Sequence, residues 1–98
     1  MATSNKTLRI ELSPQLRAAI RGLPKRQRKE IGDVITAVRD GFGAPHLHSG
    51  LGIRRFRDSV FECRVGLKLR LVFDVEPDVL AFNHLGTHDQ IRKLLKNR

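Results

Sequence analysis

Four histidines stand at two places in this 98-residue chain, His46 and His48 at one and His84 and His88 at the other. Histidine is the side chain whose ordinary pKa, about 6.5, lets it give or take a proton near neutral pH. Between the two places, Arg64, Lys68 and Arg70 occupy even positions of a run whose odd positions, Phe61, Cys63, Val65, Leu67, Leu69, Leu71, Phe73 and Val75, are apolar. Strand alternation sends those cations to the face opposite the apolar set. Cations on an open face can hold a phosphate and neutralise charge that builds during its cleavage. They are equally the polar residues that any strand carries on its wet side. A ribonuclease that attacks with the neighbouring 2′-hydroxyl needs a base for that hydroxyl, cations around the phosphate and an acid for the departing 5′ oxygen. Each residue type is present, although surface histidines without a role are common.

Other chemistries are poorly supplied. His46, His48, Cys63, His84 and His88 can be written as a zinc ligand list, but paired short spacings are missing and Cys63 has core-facing parity, so no metal is expected. The same parity buries Cys63 among Phe61 and Val65, where a nucleophilic thiolate is disfavoured. The glycines between residues 41 and 52 are not followed by lysine and serine, so a nucleotide P-loop is unsupported. No cofactor is expected.

Nineteen Lys and Arg against ten Asp and Glu give a net charge of +9 and a pI near 11.1. Folding does not require that excess and self-repulsion opposes it, so a polyanionic partner is implied, with nucleic acid first. Lys25, Arg26, Arg28 and Lys29 crowd a helix start, where the helix dipole disfavours positive charge. Arg54, Arg55 and Arg57 make a second cluster. Both read as RNA-backbone contacts or as solvated faces. With five Phe and no Tyr or Trp, stacking platforms are few, and phosphate contacts must supply most of any RNA affinity. A membrane surface is not expected, because neither an exposed bulky apolar helix face nor a lipid anchor is evident. A polar start, no apolar run approaching the roughly 20 residues of a spanning helix, and one cysteine predict a soluble, cytoplasmic protein.

The elements that must position these residues follow from periodicity. Leu8, Ile10 and Leu12 alternate as a half-buried strand. Ser13-Pro14 opens a helix with the stripe Leu16, Ala19, Ile20, Leu23, and Gly22 and Pro24 stop it. Ile31, Val34, Ile35, Val38 and Phe42 predict a second helix over about 25–40. Strands are expected at 61–65, 67–75 and 79–85, turning at Val65-Gly66-Leu67 and Glu76-Pro77-Asp78, with a further edge strand over 53–57. Ile91, Leu94 and Leu95 predict a short terminal helix. The expected fold is a small α+β single domain spanning 1–98: an N-terminal strand and helical hairpin on a three- to four-stranded antiparallel sheet, helices mainly on one face, with a short C-terminal helix.

In this layout the chain resembles the RelE/ParE superfamily of small toxins from bacterial type II toxin-antitoxin modules. The carrying segments are His46-Leu-His48-Ser-Gly50-Leu-Gly52, Phe61-Glu-Cys-Arg64-Val-Gly-Leu-Lys-Leu-Arg70-Leu-Val-Phe73 and Leu85-Gly-Thr-His88-Asp89. Gly86-Thr87-His88 looks like the closing motif of the histidine-using, YafQ-type ribonuclease branch. The resemblance implies a ribosome-dependent mRNA endonuclease that stops translation and is held inactive by a cognate antitoxin. It implies His88 as catalytic acid or base, His46 or His48 as a second histidine, Arg70 as the phosphate-stabilising group, and Arg64 and Lys68 as supporting cations. The chain lacks the C-terminal tyrosine of RelE-type members, and Ile91 and Arg92 stand where the histidine branch often has an aromatic. ParE-type members share the fold and act on DNA gyrase, which is the alternative function; a non-enzymatic nucleic-acid-binding module is a third.

Overall fold

A computed structural model of the chain describes residues 8–44 and 50–96. Strand β1 (Arg9–Leu12) leads into helix α1 (Pro14–Arg21), where the Ser13 hydroxyl accepts the Leu16 N–H at 3.1 Å and Pro14 fills the first helical position. This is the N-cap chemistry expected of Ser-Pro. Helix α2 (Lys25–Gly41) follows one short turn later, and its Pro24 cap leaves the first turn without a side-chain acceptor. Strands β2 (Arg54–Arg57), β3 (Val60–Val65), β4 (Leu69–Glu76) and β5 (Val79–Thr87) precede the terminal helix α3 (His88–Lys96).

The five strands form one sheet in the order β1-β5-β4-β3-β2. The last four are joined by antiparallel hairpins, whereas β1 adds parallel to β5, Arg9 opposite Val79 and Leu12 opposite Phe82. A parallel pair needs a long crossover, which here is the helical hairpin itself. The sheet is therefore larger and more mixed than the alternation of β3 to β5 suggested.

Helices α1 and α2 lay Leu16, Ile31, Ile35 and Val38 on one sheet face, against Cys63, Val65, Leu71, Phe73, Leu80 and Phe82. Phe42, Phe61, Phe73 and Phe82 meet there, with ring centroids 5.0 to 5.9 Å apart. Four of the five phenylalanines are thus core residues; the fifth, Phe56, is 37% exposed.

Two expectations need correction. Leu67, expected to face the helices, is 92% exposed, because Gly66, Leu67 and Lys68 form the turn and regular alternation begins only at Leu69. Val72, expected on the open face, is fully buried, because α3 crosses that face and sets Ile91 and Leu95 on Val60 and Val72. Helices therefore cover both faces of the sheet.

Two β-bulges interrupt the strands. In β2, Arg55 opposes Phe61 and Arg57 opposes Val60, leaving Phe56 as the extra residue. In β5, Phe82 opposes Phe73 and His84 opposes Val72, leaving Asn83 as the extra residue. A bulge shifts side-chain parity by one. Upstream of Asn83, Leu80 and Phe82 face the hairpin core. Downstream, Leu85 keeps that face, while His84 and Gly86 lie on the α3 side. Asn83 is anchored by its amide donating to Asp74 Oδ2 at 2.8 Å and by its carbonyl accepting from the Ser13 hydroxyl at 3.2 Å.

Cys63 is fully buried. Desolvation, helped by the neighbouring Glu62 carboxylate, pushes its thiol up to about 12 from an ordinary 9.0. The fold thus favours the protonated thiol, so this group's contribution to stability is whole below about pH 9 and declines as pH rises toward 12. At pH 8, alkylation of Cys63 should proceed only as fast as the protein unfolds, and should become immediate in denaturant. Rapid modification of the native protein would show that Cys63 is accessible.

Candidate active site

The open part of the α3 face is built around one cross-strand row. Arg64 on β3 lies directly opposite Arg70 on β4, and Arg70 lies opposite Gly86 on β5. Like charges in direct opposition weaken a sheet. Neither guanidinium has a carboxylate partner among the described residues. Arg70 Nη1 donates to the Leu69 carbonyl at 3.3 Å, and the Arg64 guanidinium lies over Gly52. A Cβ on Gly52 would stand 2.8 Å from Arg64 Nε, and its φ of +61° suits glycine, so this residue is required for the arginine to lie where it does. The adjoining Leu51 carbonyl accepts the Arg64 N–H at 2.7 Å, tying the segment before β2 to the same row. Beside the row, Glu62 is buried, with Arg54 Nε 3.9 Å from its carboxylate.

The Gly86-Thr87-His88 sequence has a local physical reason. Gly86 lies beneath Gln90 and Ile91, whose side-chain atoms would stand 3.0 to 3.4 Å from a Cβ. Thr87 caps α3: its hydroxyl accepts the Gln90 N–H at 3.2 Å, and its own N–H donates to Gln90 Oε1 at 2.8 Å. This reciprocal capping box fixes the first turn of the helix. His88 is consequently held at the start of α3, two residues beyond the partner of Arg70. Its Nε2 accepts from Arg92 Nε at 3.4 Å, one helical turn on.

The sequence-derived candidates separate into groups. Arg64 and Arg70 stand opposite each other in the sheet, and His88 opens α3 two residues beyond Gly86, the β5 partner of Arg70. Lys68 does not join them through strand parity: it belongs to the β3–β4 turn and lines a hollow with Gln27 and Glu30 of α2. Lys25, Arg26 and Arg28 are exposed on α2, and Lys29 is ion-paired with Asp33 at 2.9 Å, which raises the lysine pKa. Arg54, Arg55 and Arg57 form the exposed edge strand β2. His46 and His48 lie outside the described residues. No cluster of three or more His, Cys, Asp or Glu able to hold a metal occurs among the described residues. His84, named with the other histidines, would be sent into the core by strict alternation from Phe82; the bulge at Asn83 turns it to the α3 side. The sequence trace of that bulge is the unpatterned Asn-His pair inside an apolar strand.

The architecture is α+β: a mixed five-stranded sheet with a helical hairpin on one face and a capped terminal helix on the other. No family model and no curated protein matches the sequence. Solved structures match its fold. The archaeal RelE–RelB complex from Pyrococcus horikoshii aligns with a TM-score of 0.68 at 16% identity, over 83% of this chain and 94% of that one. The Escherichia coli DinJ–YafQ toxin-antitoxin complex aligns at 0.62 and 17%, over 87% and 97%. The YoeB–YefM complex from Staphylococcus aureus aligns at 0.62 and 22%, over 83% and 97%. At these identities the likeness establishes the fold. Among the described residues, no helix is long and apolar enough to cross a membrane.

Proposed function

We propose that this chain is the toxin of a type II toxin-antitoxin module and acts as a ribosome-dependent mRNA endonuclease in the cytoplasm, using attack by the substrate 2′-hydroxyl without a metal. The observation that carries the reading is the opposed pair Arg64 and Arg70, with His88 following two residues after Gly86, the β5 partner of Arg70. Two cations without carboxylates, held against each other at a cost to the sheet, suit an anion that arrives later. Arg70 is assigned to the phosphate and Arg64 to its support. His88 is assigned proton transfer, with His46 or His48 as the second histidine. Lys68 and the cations of α2 and β2 are assigned to the RNA backbone. The toxin complexes with the same fold support a cognate antitoxin as partner.

The test is cell-free translation with purified protein. Cleaved messenger should accumulate only when ribosomes are present, and protein synthesis should stop. Intact messenger together with loss of gyrase supercoiling would replace this reading with the gyrase alternative. If neither process is affected while the protein still binds nucleic acid, it is a non-enzymatic binding module.

Affinity for the ribosome should fall steeply with salt, by roughly one logarithmic unit of slope per phosphate contact. Filter binding from low to moderate salt measures this. A flat response would remove the polyanionic partner that the charge of +9 implies.

A further inference from the structure

The fifth phenylalanine has no place in the core or in the catalytic row. Phe56 is the bulged residue of the edge strand β2, and the bulge turns its ring toward α3. There it lines a hollow of about 310 Å³ with Arg92, Lys93 and Lys96. The Arg57 guanidinium stands 5.6 Å from the ring centroid. Four cations therefore surround one half-exposed aromatic ring. A folded domain gains little from this arrangement. An exposed ring contributes small burial energy, and clustered like charges repel.

The combination matches one ligand chemistry. An aromatic face accepts a stacked base of any identity, while surrounding Lys and Arg hold the phosphates on either side. The hollow falls at the small end of ligand pockets, suited to one nucleotide unit rather than a folded element. Paired bases in a duplex hide their faces from such a ring. An acidic peptide could meet the cations but has no general use for the aromatic.

We propose that the Phe56 hollow is a binding site for single-stranded RNA, in which one unpaired base stacks on Phe56 and its flanking phosphates meet Lys93, Lys96 and Arg57. Arg92 lines the hollow and also touches His88, so the site adjoins the start of α3. The proposal rests on the RNA-binding part of the proposed function, which already gives Arg57 to the RNA backbone, and not on cleavage.

The experiment titrates the full chain with an eight-nucleotide, fully 2′-O-methylated RNA carrying 2-aminopurine, which cannot be cut through its 2′ position and whose fluorescence is quenched on stacking. Saturable quenching is expected. Phe56→Leu, which keeps an apolar side chain but removes the π-face, should abolish the quench and weaken binding about 10-fold or more. Lys93→Gln and Lys96→Gln should each reduce the salt slope by about one unit while leaving the quench at saturation. A duplex of the same length should bind without quenching. Undiminished affinity and quenching with Phe56→Leu would overturn the proposal. So would an acidic peptide that competes equally well for RNA bound to the wild-type protein and for RNA bound to Phe56→Leu, since the ring would then add nothing to the hold on RNA.

Discussion

Replacing His88 by alanine should lower ribosome-dependent mRNA cleavage by roughly 10²- to 10⁴-fold, the range for loss of a general acid or base, and toxicity should fall with it. Folding should be nearly unaffected. The α3 cap belongs to the Thr87 hydroxyl and Gln90 side chain, neither of which the substitution removes. The bond that His88 accepts from Arg92, at 3.4 Å, is exposed and at the limit of hydrogen bonding, so its loss costs little. Arg70→Ala should cause a loss of similar order by removing charge stabilisation of the phosphate, and should also relieve its opposition to Arg64. Single-turnover cleavage on purified ribosomes, with circular dichroism to report folding, makes the comparison. Full activity in both folded variants would remove these residues from the chemistry.

Phe73→Ala should cost about 3–5 kcal/mol of stability. The ring is fully buried in β4, with centroids of Phe42, Phe61 and Phe82 at 5.9, 5.8 and 5.0 Å. Its removal leaves a void that three other rings on three different segments cannot fill together. For a domain this size, each kcal/mol shifts the melting temperature by about 4–8 °C, so the variant's melting temperature should fall by tens of degrees. Phe73→Leu retains most of the apolar volume and should lose less, keeping the comparison measurable if the alanine variant does not fold. Arg70→Ala, three residues nearer the turn and on the opposite face, should cost far less. Equal losses for Phe73→Leu and Arg70→Ala in urea denaturation would show that β4 faces the other way.

Much of this architecture was legible because its signals are local. Ser13-Pro14 announced α1, the stripe Ile31, Val34, Ile35 and Val38 announced α2, and the alternation Leu69, Leu71, Phe73 gave β4 its core face. The parallel pairing of β1 with β5 was not legible, because it joins residues about 70 positions apart through tertiary packing alone. The burial of Val72 depended on where α3 lands, and a helix pattern does not specify its docking angle. Leu67 misled because a leucine beside Gly66 continues the alternation on paper while the chain is already turning.

The candidate site was legible in the same uneven way. Arg64 and Arg70 share parity and are close in sequence, and Gly86-Thr87-His88 carries its own capping chemistry. The alignment of Arg64, Arg70 and Gly86 in one row required the hairpin register, which a turn of undetermined length leaves open. Phe56 was counted only as one more aromatic, because nothing in Arg-Arg-Phe-Arg reveals a bulge.

The single extra residue in β5 divides that strand into two mutational territories. From Val79 to Phe82 the inward positions answer to the core, so their tolerance should follow side-chain volume and hydrophobicity. From His84 to His88 the α3-facing positions answer to the site, so their tolerance should follow chemistry instead. Asn83 sets the phase between the two. Removing that one residue would exchange the faces of everything on one side of it, so a deletion there should be worse than any substitution at the same position. An insertion or deletion in this strand is therefore a poor evolutionary route to new specificity, whereas point changes at His84 or His88 can alter the α3 side without touching the core that Leu85 joins.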